Sequence, residues 1–244
     1  MKQLLRKSLN WRIFVLLFIL VLACVCITTG VTNTASSEIP PLTEYCPPSG
    51  RGPIVILMSG VDGPNAYRSY ATEVARLGYY AVLLDSRDLI IVKEMNGEVN
   101  LRRTIEQVKQ SENSLPGKVA VIGFSRGGGG ALGLAAGMPD LVSAIIAYYP
   151  HTDHIKHMRS FVADFKVPIL VLVGEKDSWA KCCLIQRDME REAKEAGKPF
   201  ELVVYPNASH AFNLAIYKSA YRAEDSADAW QRTIKMLSQY HPVR

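Results

Sequence analysis

A serine with a glycine two positions to either side lies near the middle of the 244-residue chain, in Gly123-Phe124-Ser125-Arg126-Gly127. It directly follows an apolar stretch of strand length, residues 118–122, and opens a helical pattern. In that context a G-x-S-x-G sequence forms a sharp turn that presents the serine hydroxyl, and the glycines let strand and helix approach closely. We therefore predict that Ser125 is a nucleophile. The alternative is a plain glycine-rich turn or a phosphate-binding loop, although the spacing of the usual phosphate-binding motifs is missing.

Two further residues could activate that serine. Asp177 and His210 each follow an apolar stretch of strand length. A neutral imidazole accepts a proton from serine near pH 7, and a carboxylate on the far ring nitrogen holds the required tautomer. Each residue also has an ordinary alternative, since Asp177 could cap a helix and His210 could be a structural loop residue. Glu175 and Asp153 compete for the role of the acid, but Asp177 is favoured because its distance past the strand suits a loop tip that faces the site. The order Ser125, Asp177, His210 is that of the α/β-hydrolase triad, which supports His210 as the base.

A serine nucleophile also needs hydrogen-bond donors for the negative charge that develops on the carbonyl oxygen. One predicted donor is the backbone N–H of Arg126, the residue after the nucleophile. The other is the backbone N–H of Val61, in the glycine-containing turn 59–63 that follows the first strong apolar stretch. The alternative for this turn is a simple loop without a catalytic role.

The rest of the sequence predicts the elements that position these residues. Short stretches rich in valine and isoleucine alternate with longer helical patterns, which is typical of a mostly parallel sheet flanked by helices. Ligands of such α/β domains bind at the carboxyl ends of the strands. The predicted strands are 54–58, 79–84, 119–122, 142–147, 169–173 and 202–205. The predicted helices are 66–77, 99–110, 128–136, 184–196 and 223–237.

Charge is concentrated at the N-terminus. The chain carries a formal net charge of +5, and four of these charges lie in the first 12 residues, before the first acidic residue, Glu38. The rest of the chain is close to neutral, which argues against a nucleic-acid partner.

The basic N-terminal residues precede an apolar stretch, 13–27, and a small, polar tail, 28–37. This is the three-part pattern of a secretory signal, so we expect export to the periplasm or the exterior, or anchoring to the membrane. Three outcomes stay open: cleavage within the polar tail, retention as an anchor that contacts the membrane through residues 13–31, or lipidation at Cys24. The predicted organisation is a signal or anchor over 1–37, an irregular lead-in over 38–52 and one domain over 53–244.

Cysteine and histidine residues suggest two further hypotheses. In an exported protein, Cys46 could form a disulfide with Cys182 or Cys183, and free or buried thiols are the alternative. Metal ligands could come from the segment His151-Thr152-Asp153-His154 together with His157, but a polar loop that shapes the pocket is favoured. We expect no cofactor, since a serine triad needs none.

Four residues are candidates for substrate contacts. Arg87 could pair with a substrate carboxylate, as could Arg126, because a guanidinium binds that group through two hydrogen bonds. Tyr149 and Trp179 could line an apolar pocket, although such residues more often only pack.

Three segments resemble the dienelactone hydrolase family of α/β-hydrolases. They are 123–128, 173–177 and 204–212, and the last one is the most specific. The resemblance runs from about residue 53 to residue 237. It implies a hydrolase with Ser125 as nucleophile, Asp177 as orienting acid and His210 as base.

The sequence also departs from this family. The founding members carry a cysteine at the position of Ser125 and a glutamate at the position of Gly60. We therefore expect a serine hydrolase of small-molecule carboxylic esters or lactones, which acts through an acyl-enzyme. An acyltransferase or small peptidase with the same triad, or a membrane-tethered binding module without activity, are the alternatives.

Overall fold

A computed structural model of the chain describes residues 42–87, 97–152, 155–179 and 183–243. All of them belong to one compact unit, Ile39–Arg244. The predicted signal or anchor segment lies outside the described residues. Within the described residues, no helix is long and apolar enough to cross a membrane.

Seven strands form a single sheet with the order β1-β3-β2-β4-β5-β6-β7. Strands β2 to β7 pair in parallel, and β1 pairs antiparallel with β3 at one edge. This is the mostly parallel sheet predicted from the sequence. The strands are β1 (Leu42–Tyr45), β2 (Ile54–Met58), β3 (Tyr80–Leu84), β4 (Val119–Phe124), β5 (Val142–Tyr148), β6 (Ile169–Gly174) and β7 (Phe200–Tyr205).

Helices cover both faces of this sheet. They are α1 (Arg68–Arg76), which follows a short 3₁₀ turn (Pro64–Tyr67), α2 (Gly97–Val108), α3 (Arg126–Gly130), α4 (Met158–Ala163), α5 (Leu184–Glu195) and α6 (Ala223–Tyr240). Helix α3 continues into one wider π-helical turn, Ala131–Ala135.

The core has two layers because successive residues of each strand point to opposite faces. In β2, for example, Ile56 belongs to the layer on one face, and its neighbours Val55 and Leu57 belong to the layer on the other. All five β2 residues are buried, as are all those of β3, β4 and β6. Burial on both faces explains why these strands are almost continuously apolar rather than alternating.

Three sequence predictions differ from the structure. The sequence predicts an irregular lead-in over 38–52, but Leu42–Tyr45 forms β1. Its two central residues are exposed, which is typical of an edge strand. Helix α4 was not predicted, since only one of its six residues is buried and its apolar periodicity is weak. Helix α3 begins at Arg126 rather than at 128, directly after the nucleophile candidate.

Candidate active site

The turn around Ser125 is sharp and sterically demanding. Ser125 joins β4 to α3 with a φ of 51°, a left-handed conformation that is rare for a residue with a side chain. A Cβ at Gly123 would lie 2.4 Å from the carbonyl oxygen of Gly127, and a Cβ at Gly127 would lie 2.3 Å from that of Met58. Both positions therefore require glycine. Such strain is characteristic of functional sites.

Asp177 lies in the loop that follows β6, and its side chain is fully buried. One carboxylate oxygen, Oδ1, accepts a hydrogen bond of 2.9 Å from the backbone N–H of Trp179. The loop packs tightly against the loop after β7, because the N–H of Lys176 donates to the carbonyl of Ala208 over 2.9 Å. This packing brings the loop of Asp177 against the loop that carries His210.

His210 joins the two other groups. Its Nδ1 lies 2.6 Å from Oδ2 of Asp177, and its Nε2 lies 2.9 Å from Oγ of Ser125. The carboxylate fixes the proton on Nδ1, which leaves the lone pair of Nε2 to accept the serine proton. The three residues that the sequence singled out thus form one hydrogen-bonded chain at the carboxyl ends of β4, β6 and β7. Glu175, which competes with Asp177 for the role of the acid, instead forms an ion pair with Arg187 on the surface.

Two aromatic rings contact the imidazole of His210. Trp179 stacks on it with a centroid distance of 5.6 Å and an interplanar angle of 19°, and Trp179 is 63% exposed. Tyr149 contacts it edge-to-face at 4.6 Å. The prediction that Tyr149 lines a substrate pocket is wrong, since this residue has no exposed surface and supports His210 from within the core.

The turn 59–63 lies beside the nucleophile, as predicted. A Cβ at Gly60 would lie 3.4 Å from the Cβ of Ser125. Among the described residues, neither the Val61 N–H nor the Arg126 N–H donates to a backbone carbonyl. Arg126 is the first residue of α3, where backbone N–H groups have no partner within the helix and the helix dipole favours negative charge.

Arg87 lies on the other side of the same turn. A Cβ at Gly63 would be 3.2 Å from its Nη2. The guanidinium is engaged by Asp85, since its Nε lies 2.9 and 3.0 Å from the two carboxylate oxygens. This ion pair is the main reason why the pKa of Asp85 lies below its usual value. Contact of Arg87 with a substrate stays a prediction.

A cavity of about 540 Å³ begins beside the nucleophile at Arg126. Its wall also carries Lys156 and His157, and apolar side chains such as Phe161 complete it. The described residues contain no group of three or more His, Cys, Asp or Glu side chains able to hold a metal ion. Asp153 and His154, which the metal hypothesis includes, lie outside the described residues.

The cysteine hypothesis is partly overturned. Cys46 is exposed, Cys183 is buried, and both are free thiols. Cys46 follows β1 at one edge of the sheet and Cys183 follows β6 near the other. Strands β1 and β6 are five strand spacings apart, each of about 4.8 Å, which places the two cysteines roughly 24 Å from one another. A disulfide cannot span this distance. Cys182 lies outside the described residues.

One contributor to the site was missed in the sequence. Tyr67 is buried directly beside Gly60 in the turn 59–63, and a Cβ on that glycine would lie only 2.4 Å from the phenolic oxygen. Sequence patterns do not distinguish a tyrosine that supports an active-site turn from one that only packs in the core.

Comparison with known proteins gives a family and a fold. Residues 87–241, more than half of the chain, match the model of the dienelactone hydrolase family. The chain is 29% identical over 213 residues to a probable 2-oxo-3-(5-oxofuran-2-ylidene)propanoate lactonase of Bradyrhizobium, which covers 78% of this chain and 84% of that one.

Solved structures show the same fold. A dienelactone hydrolase from Anabaena variabilis superposes with a TM-score of 0.61 at 22% identity, over 83% of this chain and 92% of the other. A dienelactone hydrolase-like promiscuous phosphotriesterase from metagenomic libraries gives a TM-score of 0.66 at 17% identity, over 82% and 98% of the two chains.

Proposed function

The chain belongs to the dienelactone hydrolase family and is a carboxylic ester hydrolase, and from this premise we propose that it cleaves ester or lactone bonds through an acyl-enzyme on Ser125. The observation that carries the proposal is the continuous chain of short contacts from the Asp177 carboxylate through His210 to the Ser125 hydroxyl. That chain contains a nucleophile, a base and a group that orients the base, which are the side-chain groups that acyl transfer through a serine requires.

In the first half of the reaction, Oγ of Ser125 attacks the substrate carbonyl carbon while Nε2 of His210 takes the hydroxyl proton. Asp177 stabilises the imidazolium that forms, without itself being protonated. The N–H groups of Val61 and Arg126 donate to the oxyanion of the tetrahedral intermediate. The intermediate collapses as the C–O bond to the leaving alcohol breaks, and the imidazolium returns its proton to that oxygen. For a lactone, the leaving hydroxyl stays attached to the acyl group.

In the second half, water replaces the alcohol. His210 takes one proton from the water as its oxygen attacks the acyl carbon, and the serine oxygen leaves with the proton returned by the imidazolium. The products are a carboxylic acid and the regenerated enzyme. Water is the only co-reactant in this sequence.

The proposal is tested with a fluorophosphonate probe, which labels activated serines, together with a chain-length series of p-nitrophenyl esters and a panel of lactones. We expect wild-type protein to be labelled and to hydrolyse at least one panel, and Ser125→Ala to lose both properties while it retains the fold. Glu175→Gln is a matched control, because this exposed carboxylate lies two residues from Asp177 and outside the triad. Folded wild-type protein that is neither labelled nor active would contradict the proposal, as would activity that chelators abolish.

Trp179 and Arg87 are proposed substrate contacts. The exposed face of the Trp179 indole lies next to the base, and Arg87 lies beside the turn that carries Val61. If these residues contact substrate, Trp179→Ala and Arg87→Ala will change the ranking of substrates within the ester and lactone panels. A uniform loss across both panels would contradict such a role.

We also propose that the chain is exported and either cleaved or anchored through its N-terminal segment. The proposal rests on the basic, apolar and polar sequence pattern of residues 1–37. N-terminal sequencing of protein purified from membrane and soluble fractions tests it. A mature N-terminus within 28–37, or an intact chain in the membrane fraction, supports it, and an intact chain in the cytosol contradicts it.

A further inference from the structure

Tyr67 is a buried tyrosine directly beneath the candidate active site. It ends the 3₁₀ turn that leads into α1, and only 1% of its surface is exposed. Its ring stacks on Phe124, the residue before the nucleophile, with a centroid distance of 4.5 Å and an interplanar angle of 29°. Because an aromatic pair of this kind is rigidly packed, the position of the phenolic oxygen is fixed relative to Ser125.

The hydroxyl of Tyr67 fills the space that a side chain at Gly60 would need. A Cβ on Gly60 would lie 2.4 Å from the phenolic oxygen and 3.4 Å from the Cβ of Ser125. The phenolic oxygen and the nucleophile therefore flank the same glycine, which directly precedes Val61, the proposed oxyanion donor. Burial is the largest influence on the pKa of Tyr67 and raises it, and the adjacent Gly60 backbone only opposes this rise.

A second buried tyrosine packs against the base. Tyr149 contacts the imidazole of His210 with its ring and has a φ of 35°, a strained conformation for a residue with a side chain. Burial raises the pKa of Tyr149 well above its ordinary value, and the neighbouring Tyr67 adds to this rise, so its phenol is neutral near neutral pH. Within the described residues, the buried Tyr149 hydroxyl has no hydrogen-bond partner of standard geometry.

We propose that Tyr67 is a positioning residue that holds the turn 59–63 against Ser125, so that the Val61 N–H is aimed at the oxyanion. The inference rests on the proposed function and deepens it. Burial is the main reason why the pKa of Tyr67 lies above its ordinary value, so the phenol is protonated and neutral near neutral pH. Tyr67 acts through the turn and does not touch the substrate.

The test is Tyr67→Phe, which keeps the ring on Phe124 and removes only the hydroxyl. We expect kcat to fall by about tenfold or more, because an oxyanion donor that is misplaced acts on the transition state. We expect KM to stay within about twofold, and the affinity for a trifluoromethyl ketone, which mimics the tetrahedral intermediate, to fall by the same factor as kcat. Tyr70→Phe is the matched control, since Tyr70 also contacts Phe124 but its hydroxyl accepts a hydrogen bond from Asn213 instead.

A second variant, Gly60→Ala, tests the contact between Tyr67 and Gly60 independently. Gly60→Ala forces a methyl group into the space of the Tyr67 hydroxyl and should lower kcat similarly. In the double variant Gly60→Ala/Tyr67→Phe the collision is relieved, so kcat should fall no further than in the more impaired single variant. Additive losses would overturn the proposal, because they would show that the two groups do not act through one contact.

The remaining outcomes separate this inference from the proposed function. If wild-type protein is labelled by the fluorophosphonate and hydrolyses esters while Tyr67→Phe keeps kcat within twofold, only the role of Tyr67 is overturned. A loss confined to KM overturns it as well. If folded wild-type protein is neither labelled nor active, both proposals fail.

Discussion

Replacement of Asp177 by asparagine should reverse the protonation of the imidazole without changing the shape of the site. The asparagine side-chain oxygen can keep the hydrogen bond from the Trp179 N–H, which occupies Oδ1 of the aspartate at 2.9 Å. The amide nitrogen then takes the place of Oδ2, 2.6 Å from Nδ1 of His210, and offers a proton where the carboxylate accepted one. Nδ1 must become the acceptor, so Nε2 carries the proton and can no longer take one from Ser125.

The expected loss in kcat is about 10⁴-fold, or about 5.5 kcal/mol of transition-state stabilisation, which is typical when a triad histidine is held in the wrong tautomer. The assay is steady-state hydrolysis of the best p-nitrophenyl ester near neutral pH, with circular dichroism to show that the fold is retained. Glu175→Gln serves as the control and should keep kcat within about twofold. A folded Asp177→Asn enzyme within tenfold of wild-type kcat would refute the assignment of Asp177 as the orienting acid.

Three further predictions concern stability and the base. Burial lowers the pKa of His241 to about 4 from its ordinary 6.5, so the unfolded chain binds a proton between these values that the folded chain does not. His241 should therefore contribute a drop of about 3 kcal/mol to the free energy of unfolding in urea between pH 7 and pH 4, and His241→Gln should remove this part of the pH dependence. Gly127→Ala should cost at least about 1–3 kcal/mol, measured as a lower Tm, because its methyl group would collide with the carbonyl of Met58. Gly133→Ala, whose methyl group would meet no atom closer than 3.9 Å, should leave the Tm unchanged or raise it. Trp179→Ala should lower kcat/KM by about 2- to 10-fold for some esters and lactones and less for others, with little change in Tm, because it removes an exposed ring beside the imidazole, and an unchanged kcat/KM across both panels would contradict this role.

The buried strands were predictable from the sequence because burial on both faces leaves a continuous apolar signal. Strand β2, for instance, lies where the sequence predicts it, at Ile54–Met58. Edge elements lack that signal. Strand β1, Leu42–Tyr45, has only four residues, of which the two central ones are exposed and the two end ones partly buried, and its place at the edge depends on pairing with β3. Local sequence carries no record of such long-range pairing.

The approach of Ser125, Asp177 and His210 was predictable because each follows a parallel strand, and parallel strands end at one edge of the sheet. The support around them was not predictable. Tyr149 was expected to face a substrate, yet a left-handed φ turns it into the core against His210. The contact between Tyr67 and Gly60 joins two loop residues only seven positions apart, but it depends on ring packing that sequence patterns do not encode.

The central claim is that Ser125 becomes covalently acylated during turnover. The most direct measurement is the intact mass of the enzyme, quenched in acid within the first turnover of an excess of p-nitrophenyl ester, followed by peptide mapping. The account predicts one added acyl group on the peptide that contains Ser125, formed in a burst that matches one equivalent of p-nitrophenol and lost as water deacylates the enzyme. Turnover of the ester with no acyl group on that peptide, or with the acyl group on another residue, would contradict it.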